Sequence, residues 1–396
     1  MKYKYLYPFL SALLVAGCAP LAEPPIEDTS VPIGKKVEPF AIEHRTIGNE
    51  LLQVTTLPGA MGGIENITLR DGNRPLLWGA EYQRTNYGAL FEQKLIKGNI
   101  FIELFWDGSL SANLVPVKTV RHRPDMVEFF AEYYGDTQLS LKREISLEPQ
   151  CSVINIKATA VNRAQTPQKL RPWLDILPRT GEMRRILPVL GNVQQTVLGG
   201  AEIMPQTGVY SPTGDLNNFL APARPWIAAR LEKEDVILVL QLEAQDVKQC
   251  AVYFWNGALW LKPAHTVEFI LNECVLPVGG SFSYRYRIGI FTGMKDLVEC
   301  VGDYGIDLAV EGKVLTLTLG VLRPTTSEQI AVEITDKQGK TFALPAQMSG
   351  KLFPGKASSL RFALPDGVDG TACTFTVVIG KEKYPLLERV DLKSKK

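Results

Sequence analysis

Three aromatic stretches carry residue types suited to holding a sugar. Phe105-Trp106-Asp107-Gly108 and Phe254-Trp255-Asn256-Gly257 repeat one pattern: two aromatics, a carboxylate or amide, then glycine. An indole offers a flat face on which a sugar ring can stack, and a neighbouring Asp or Asn can bond its hydroxyls. Asp-Gly and Asn-Gly favour tight hairpins, so each Trp is expected beside a turn at a sheet edge. The competing reading makes both Trp residues caps on the core. Trp173 is a third candidate, with Asp175 two positions on and therefore on the same face of a strand. The candidate carbohydrate-binding set is thus Trp106, Asp107, Trp173, Asp175, Trp255 and Asn256. Trp226, following Pro225, reads as core.

Other groups leave chemistry open. Glu92, Glu103, Asp107, Asp175 and Glu243 lie in or beside apolar strands, and paired acids would suit glycoside hydrolysis or lyase chemistry. A single carboxylate in a strand also reads as a solvent-facing residue. Arg179, Arg184 and Arg185 flank a Gly-Glu turn, as ligands for an acidic sugar or as a solvated loop. The three histidines are His44, His122 and His265. His122, within Arg121-His122-Arg123-Pro124-Asp125, reads as a loop residue between strands. No serine-hydrolase elbow, phosphate loop, dinucleotide loop or His-Glu-x-x-His motif occurs. No catalytic residue is assigned, and neither a cofactor nor a metal is expected.

The 396-residue chain is 45% apolar and 21% charged, so it can bury a large core. Lys+Arg at 43 against Asp+Glu at 42 gives +1, with no basic stripe for nucleic acid. Beyond Cys18 the cysteines are Cys151, Cys250, Cys274, Cys300 and Cys373, widely spaced and without a Cys-x-x-Cys pair. Buried free thiols are expected, with a Cys250–Cys274 bridge the alternative.

The elements that must position these residues begin after a leader. Lys2 and Lys4 precede an apolar run from Tyr5 to Val15, then Ala16-Gly17-Cys18. A positive region, an apolar core and a small-residue cleavage site make a secretory signal. The order resembles a bacterial lipoprotein signal. That resemblance implies cleavage before Cys18, acylation of Cys18 and a membrane partner through the lipid. With Ala19 and Pro20 following, it implies the outer membrane of a bacterial envelope. Residues 1–17 are then the signal and 18–36, rich in Pro and acids, a tether.

Period-two patterns fill 37–293, as in Val127-Glu128-Phe129 and Tyr284-Arg285-Tyr286-Arg287-Ile288. Many short strands broken by Gly, Pro, Asn and Asp predict an all-β chain with a large antiparallel sandwich or barrel. Leu297 and Val301, four apart, suggest a short helix over 294–301 inside a linker at 294–306. A second alternating set over 307–391 predicts a small immunoglobulin-like β-sandwich without the Trp and Cys pair of antibody domains.

Leu51 to Ile64, with its Leu57-Pro58-Gly59 break and Gly62-Gly63 turn, followed by the Arg70-Asp71-Gly72-Asn73 hairpin, resembles the opening of galactose-mutarotase-like proteins. So do Ile145 to Asn162, Pro225-Trp226 with the strand entering Leu231-Glu232-Lys233-Glu234-Asp235, and Leu276-Pro277-Val278-Gly279-Gly280. The likeness covers residues 40 to 292. It implies a large antiparallel β-supersandwich whose concave face holds carbohydrate. It also implies a general-acid His soon after Asn162 and a carboxylate base. This chain has Leu170-Arg171-Pro172-Trp173 there and no His. Saccharide binding, an enzyme with displaced catalytic groups, and a scaffold with protein partners unknown remain the three readings.

Overall fold

The computed structural model describes residues 43–58, 62–77, 81–83, 95–97, 102–105, 117–132, 138–176, 183–212, 218–243, 247–254, 256–259 and 262–390. All belong to one compact unit, Ile42–Lys396. Cys18, Trp106, Asp107 and Trp255 lie outside the described residues.

A ten-stranded sheet is the backbone of the fold. Its spatial order is Arg389–Val390, Gly208–Tyr210, Met183–Val189, Trp226–Leu231, Val236–Leu242, Ser281–Thr292, Val153–Asn162, Leu139–Leu147, Met126–Ala131 and Lys118–Arg123. Its strands pair antiparallel except at one edge, where Arg389–Val390 lies parallel to Gly208–Tyr210. Gly208 is required there, because a Cβ would stand 2.5 Å from Val390 Cγ2.

Two four-stranded sheets share the main core with this large sheet. One runs Arg45–Gly48, Leu52–Leu57, Gly63–Leu69, Arg74–Pro75. The other runs Ala251–Tyr253, Val267–Ile270, Pro172–Ile176, Ile102–Phe105. Val54, Ile67, Leu174, Val252 and Phe269 from the small sheets bury with Ile145, Ile156, Leu238 and Tyr286 of the large one. The hairpin at Arg70-Asp71-Gly72-Asn73 forms as its residues dictate, with Gly72 at φ 70°.

The strand Val236–Leu242 is buried at every position. Val236, Leu238, Leu240 and Leu242 face the main core, while Ile237 and Val239 join a second core with Trp226, Phe291, Met294, Leu297 and Leu322. A strand buried on both faces reads as a continuous apolar run rather than an alternation. Outer strands of the same sheet keep the alternation, as in Leu139–Leu147, where Lys142 is exposed between buried neighbours.

The C-terminal strands form two packed antiparallel sheets. Glu299–Val301, Tyr304–Glu311, Val314–Val321 and Ser358–Ala363 make one. Thr341–Ala343, Gln329–Thr335, Thr374–Ile379 and Glu382–Pro385 make the other, with Gln347–Met348 added beside Gln329–Thr335. Their shared core includes Leu317, Val332, Ile334 and Val377.

One expectation is corrected here. Residues 294–301 form no helix: Glu299–Val301 is a strand paired with Tyr304–Glu311, so this sandwich begins before residue 307. Met294, Leu297, Val298 and Cys300 are all buried, and a surface helix would have hidden only one side of that segment. All five described cysteines are free thiols, as expected, and the alternative Cys250–Cys274 bridge is absent. Cys250 Sγ contacts Asn272 Oδ1 at 3.0 Å.

Candidate functional site

Two of the sequence candidates, Trp173 and Asp175, stand on the four-stranded sheet Ala251–Tyr253, Val267–Ile270, Pro172–Ile176, Ile102–Phe105. Trp173 and Asp175 stand in its third strand. Trp106 and Asp107 directly follow its Ile102–Phe105 edge. Trp255 lies two residues beyond Tyr253 at its other edge. Asn256 opens the strand Asn256–Leu259, which pairs with Lys262–His265 just before Val267–Ile270.

One point differs from the sequence reading. Asn256-Gly257 is not a hairpin turn, because Asn256 and Gly257 pair with His265 and Ala264 as strand residues. The two edge strands run in opposite directions. Phe105 pairs beside Pro172, whereas Tyr253 pairs with Glu268, itself the partner of Asp175.

Register places Tyr253, Glu268, Asp175 and Ile102 in one row across the four strands. Trp173 belongs to the next row, between Ile270 and Leu104. Its ring is half-buried and packs on the main core. Its Nε1 donates to Glu268 Oε2 at 2.8 Å. The Thr266 hydroxyl donates to Glu268 Oε1 at 2.5 Å. Both carboxylate oxygens thus have a donor within the sheet's own face.

Arg185 completes the cluster. It lies on Met183–Val189 and is buried, not part of a solvated loop. Its Nε donates to Thr266 O at 3.3 Å, and its guanidinium sits 4.3 Å from the Phe254 ring centroid. Alternation explains the burial, because Arg185 shares a strand face with Leu187 of the main core. Arg184, on the opposite face, pairs instead with Asp296 at 3.0 Å and Glu232 at 3.5 Å.

Burial pushes the Glu268 carboxyl up to about 7, against the pull of the Thr266 and Trp173 hydrogen bonds and the Arg185 charge. A carboxyl raised towards neutrality is a group able to exchange a proton or to donate a hydrogen bond. Sequence reading missed Glu268, which sits in an apolar run, Val267-Glu268-Phe269-Ile270. The signal that could have found it is a lone acid inside that run.

The remaining candidates are dispersed. Glu243 is exposed and lies 3.9 Å from Arg285. His122 is exposed, with Nε2 2.9 Å from Thr46 O, and His44 lies 3.3 Å from Glu65. Glu103 occupies a strand position opposite Leu174. Glu92 and Arg179 lie outside the described residues. Among the described residues, no group of three or more His, Cys, Asp or Glu could hold a metal ion.

Asn162, the residue preceding the expected acid His, is fully engaged in structure. Its Nδ2 donates to Thr166 O, Leu276 O and Pro277 O at 2.9, 3.0 and 3.1 Å, and its Oδ1 accepts from Ala164 N at 2.8 Å. It ties its own turn to Leu276-Pro277-Val278-Gly279-Gly280.

No protein-family profile matches the chain, and no curated protein matches it in sequence. Several solved structures are similar. A galactose mutarotase-like protein from Lactobacillus casei is 11% identical, at TM-score 0.45, over 63% of this chain and 100% of its own. A galactose mutarotase related enzyme from Lactobacillus acidophilus is 10% identical, at TM-score 0.42, over 64% and 99%. A TPR-domain containing protein from Parabacteroides distasonis is 12% identical, at TM-score 0.47, over 64% of this chain and 48% of its own. The likeness is one of fold alone.

Proposed function

We propose that this chain is an envelope lipoprotein that binds a saccharide at the sheet carrying Trp173 and Glu268. The observation that supports this reading is the pairing of Trp173 with Glu268. The centre of the sheet holds this indole and carboxyl within hydrogen-bond distance. Sites for sugars combine such flat aromatic faces with a few fixed polar groups. The Lys2-Lys4, apolar, Ala16-Gly17-Cys18 order supports lipid attachment at Cys18.

A glycan array probed with the chain from residue 19 onward tests the reading. Binding to at least one glycan is expected, and Trp173→Ala should weaken it about tenfold, the worth of one stacked aromatic. Melting curves on the same variant separate lost binding from lost fold. A well-folded protein that binds no glycan overturns the proposal.

A second reading has its own support. A Glu268 carboxyl at about 7 suits acid–base chemistry at a sugar. Turnover of a bound glycan that is lost in Glu268→Gln, with binding retained, would favour it.

A further inference from the structure

We propose that the basic edge of the ten-stranded sheet docks on an anionic lipid surface, with the strand Lys118–Arg123 as the contact. Arg389–Val390 and Lys118–Arg123 are the two edge strands of that sheet, and among the described residues Lys118–Arg123 pairs only with Met126–Ala131. A strand on a packed sheet hides alternate residues. Here Lys118, Val120, Arg121, His122 and Arg123 are all exposed. The register shifts between Thr119 and Arg121, and Val120 stands 58% exposed between the cations.

The charge at this edge is largely uncompensated. Lys118 and Arg121 have no ion pair among the described residues. Arg123 pairs with Asp125 at 3.3 Å, but both side chains are more than half exposed, which leaves that pair weak. Glu128, opposite Arg121 in register, is buried and already holds Lys142 Nζ at 2.9 Å. Cations flanking one exposed apolar side chain match a phosphate-bearing headgroup layer over an apolar interior.

The place where the chain enters the fold agrees. Arg45–Gly48, the first described strand, lies against this edge through His122 Nε2 and Thr46 O at 2.9 Å and through Gly48 N donating to Pro124 O at 2.7 Å. The first described strand of the chain thus stands beside the basic strand. The 24 residues between Cys18 and Glu43 could span at most about 80 Å, too long to fix an orientation alone. The surface charge does so. This inference rests on the lipoprotein reading only for the membrane that supplies the lipid. The competing account is that the charges merely keep an open edge from pairing with other strands.

Co-sedimentation of the acyl-free chain from residue 19 with vesicles decides between them. Vesicles of phosphatidylcholine with phosphatidylglycerol should bind it, phosphatidylcholine alone should not, and high salt should release it. Each cation near an anionic surface is worth about fivefold, so Lys118→Ala with Arg121→Ala should cost about thirtyfold with an unchanged melting curve. Lys337→Ala with Lys340→Ala, in the C-terminal sandwich, should cost nothing. Equal binding to both vesicles, no binding, or self-association of the Lys118/Arg121 variant without a change in lipid binding overturns the proposal. Acylation of Cys18, read by mass, is independent. An unacylated Cys18 with vesicle binding intact removes the lipoprotein reading and leaves this one standing.

Discussion

The Trp173 indole N–H donates to Glu268 Oε2 at 2.8 Å from the neighbouring strand, on a carboxyl that is 4% exposed. That bond joins the residue chosen for stacking to the described carboxyl with the clearest reason to titrate near neutrality. The folded carboxyl sits at about 7, against about 4.3 in an unfolded chain.

Because the folded value is raised, the folded state holds the proton more tightly. Stability from this group is fully present below about pH 4, and it is lost as pH rises through 7, on the order of 3 kcal/mol in all. Denaturant titrations from pH 5 to 8 should show the wild type weakening as pH rises. Glu268→Gln, which keeps a neutral group of the same shape, should show a flatter profile. Parallel profiles for the two proteins would remove the assignment.

A second buried carboxylate joins the large sheet to the C-terminal sandwich. Glu299 accepts from Trp226 Nε1 at 2.8 Å and Arg224 Nε at 2.7 Å. Removing one partner of a buried charged pair costs about 3–5 kcal/mol. Glu299→Ala should therefore lose about that much, and Trp226→Phe less, because Arg224 remains. Urea unfolding of both variants and their double mutant gives the coupling. Losses that add independently would mean that the two side chains do not act together.

Much of this fold was legible in residues 45–75 and 126–162, where alternation and the Asp71-Gly72-Asn73 turn match the strands formed. The segment 294–301 was not, because burial against two cores hides Leu297 and Val301 on a strand-like path rather than on a helix face. Val236–Leu240 reads as uniformly apolar because a second sheet layer covers its outer side, a fact that no local pattern contains. Trp173 was legible as a site candidate by type. Glu268 and Arg185 were not, since their meeting depends on a strand more than eighty residues away in sequence folding back to its neighbour.

Lipid attachment at Cys18 is a prediction independent of the fold. Multiple acyl chains on one cysteine hold a protein firmly, whereas a single chain holds weakly. Cys18→Ala should leave the chain unprocessed or release it from membranes. Fractionation with mass analysis of the N-terminus reads this directly. A variant that matures and stays membrane-bound like the wild type would end the lipoprotein assignment.

The last prediction concerns Asn162, 1% exposed and bonded through every polar atom of its side chain. An amide is the one group of this size that can donate to carbonyl oxygens while accepting from Ala164 N. Asn162→Ala orphans these partners, some of which keep other bonds, as Pro277 O does with Gly280 N at 2.8 Å. The loss should be about 2–4 kcal/mol. Asn162→Asp puts a carboxylate against three carbonyls, so it should cost more at neutral pH. Repulsion and burial raise its folded carboxyl above the unfolded value, so its deficit should shrink as pH falls and a proton restores one donor. Thermal melts of wild type, Ala and Asp variants at pH 5 and 8 check both claims. An Asp variant as stable as wild type at pH 8 would show that Asn162 does not hold the two turns together.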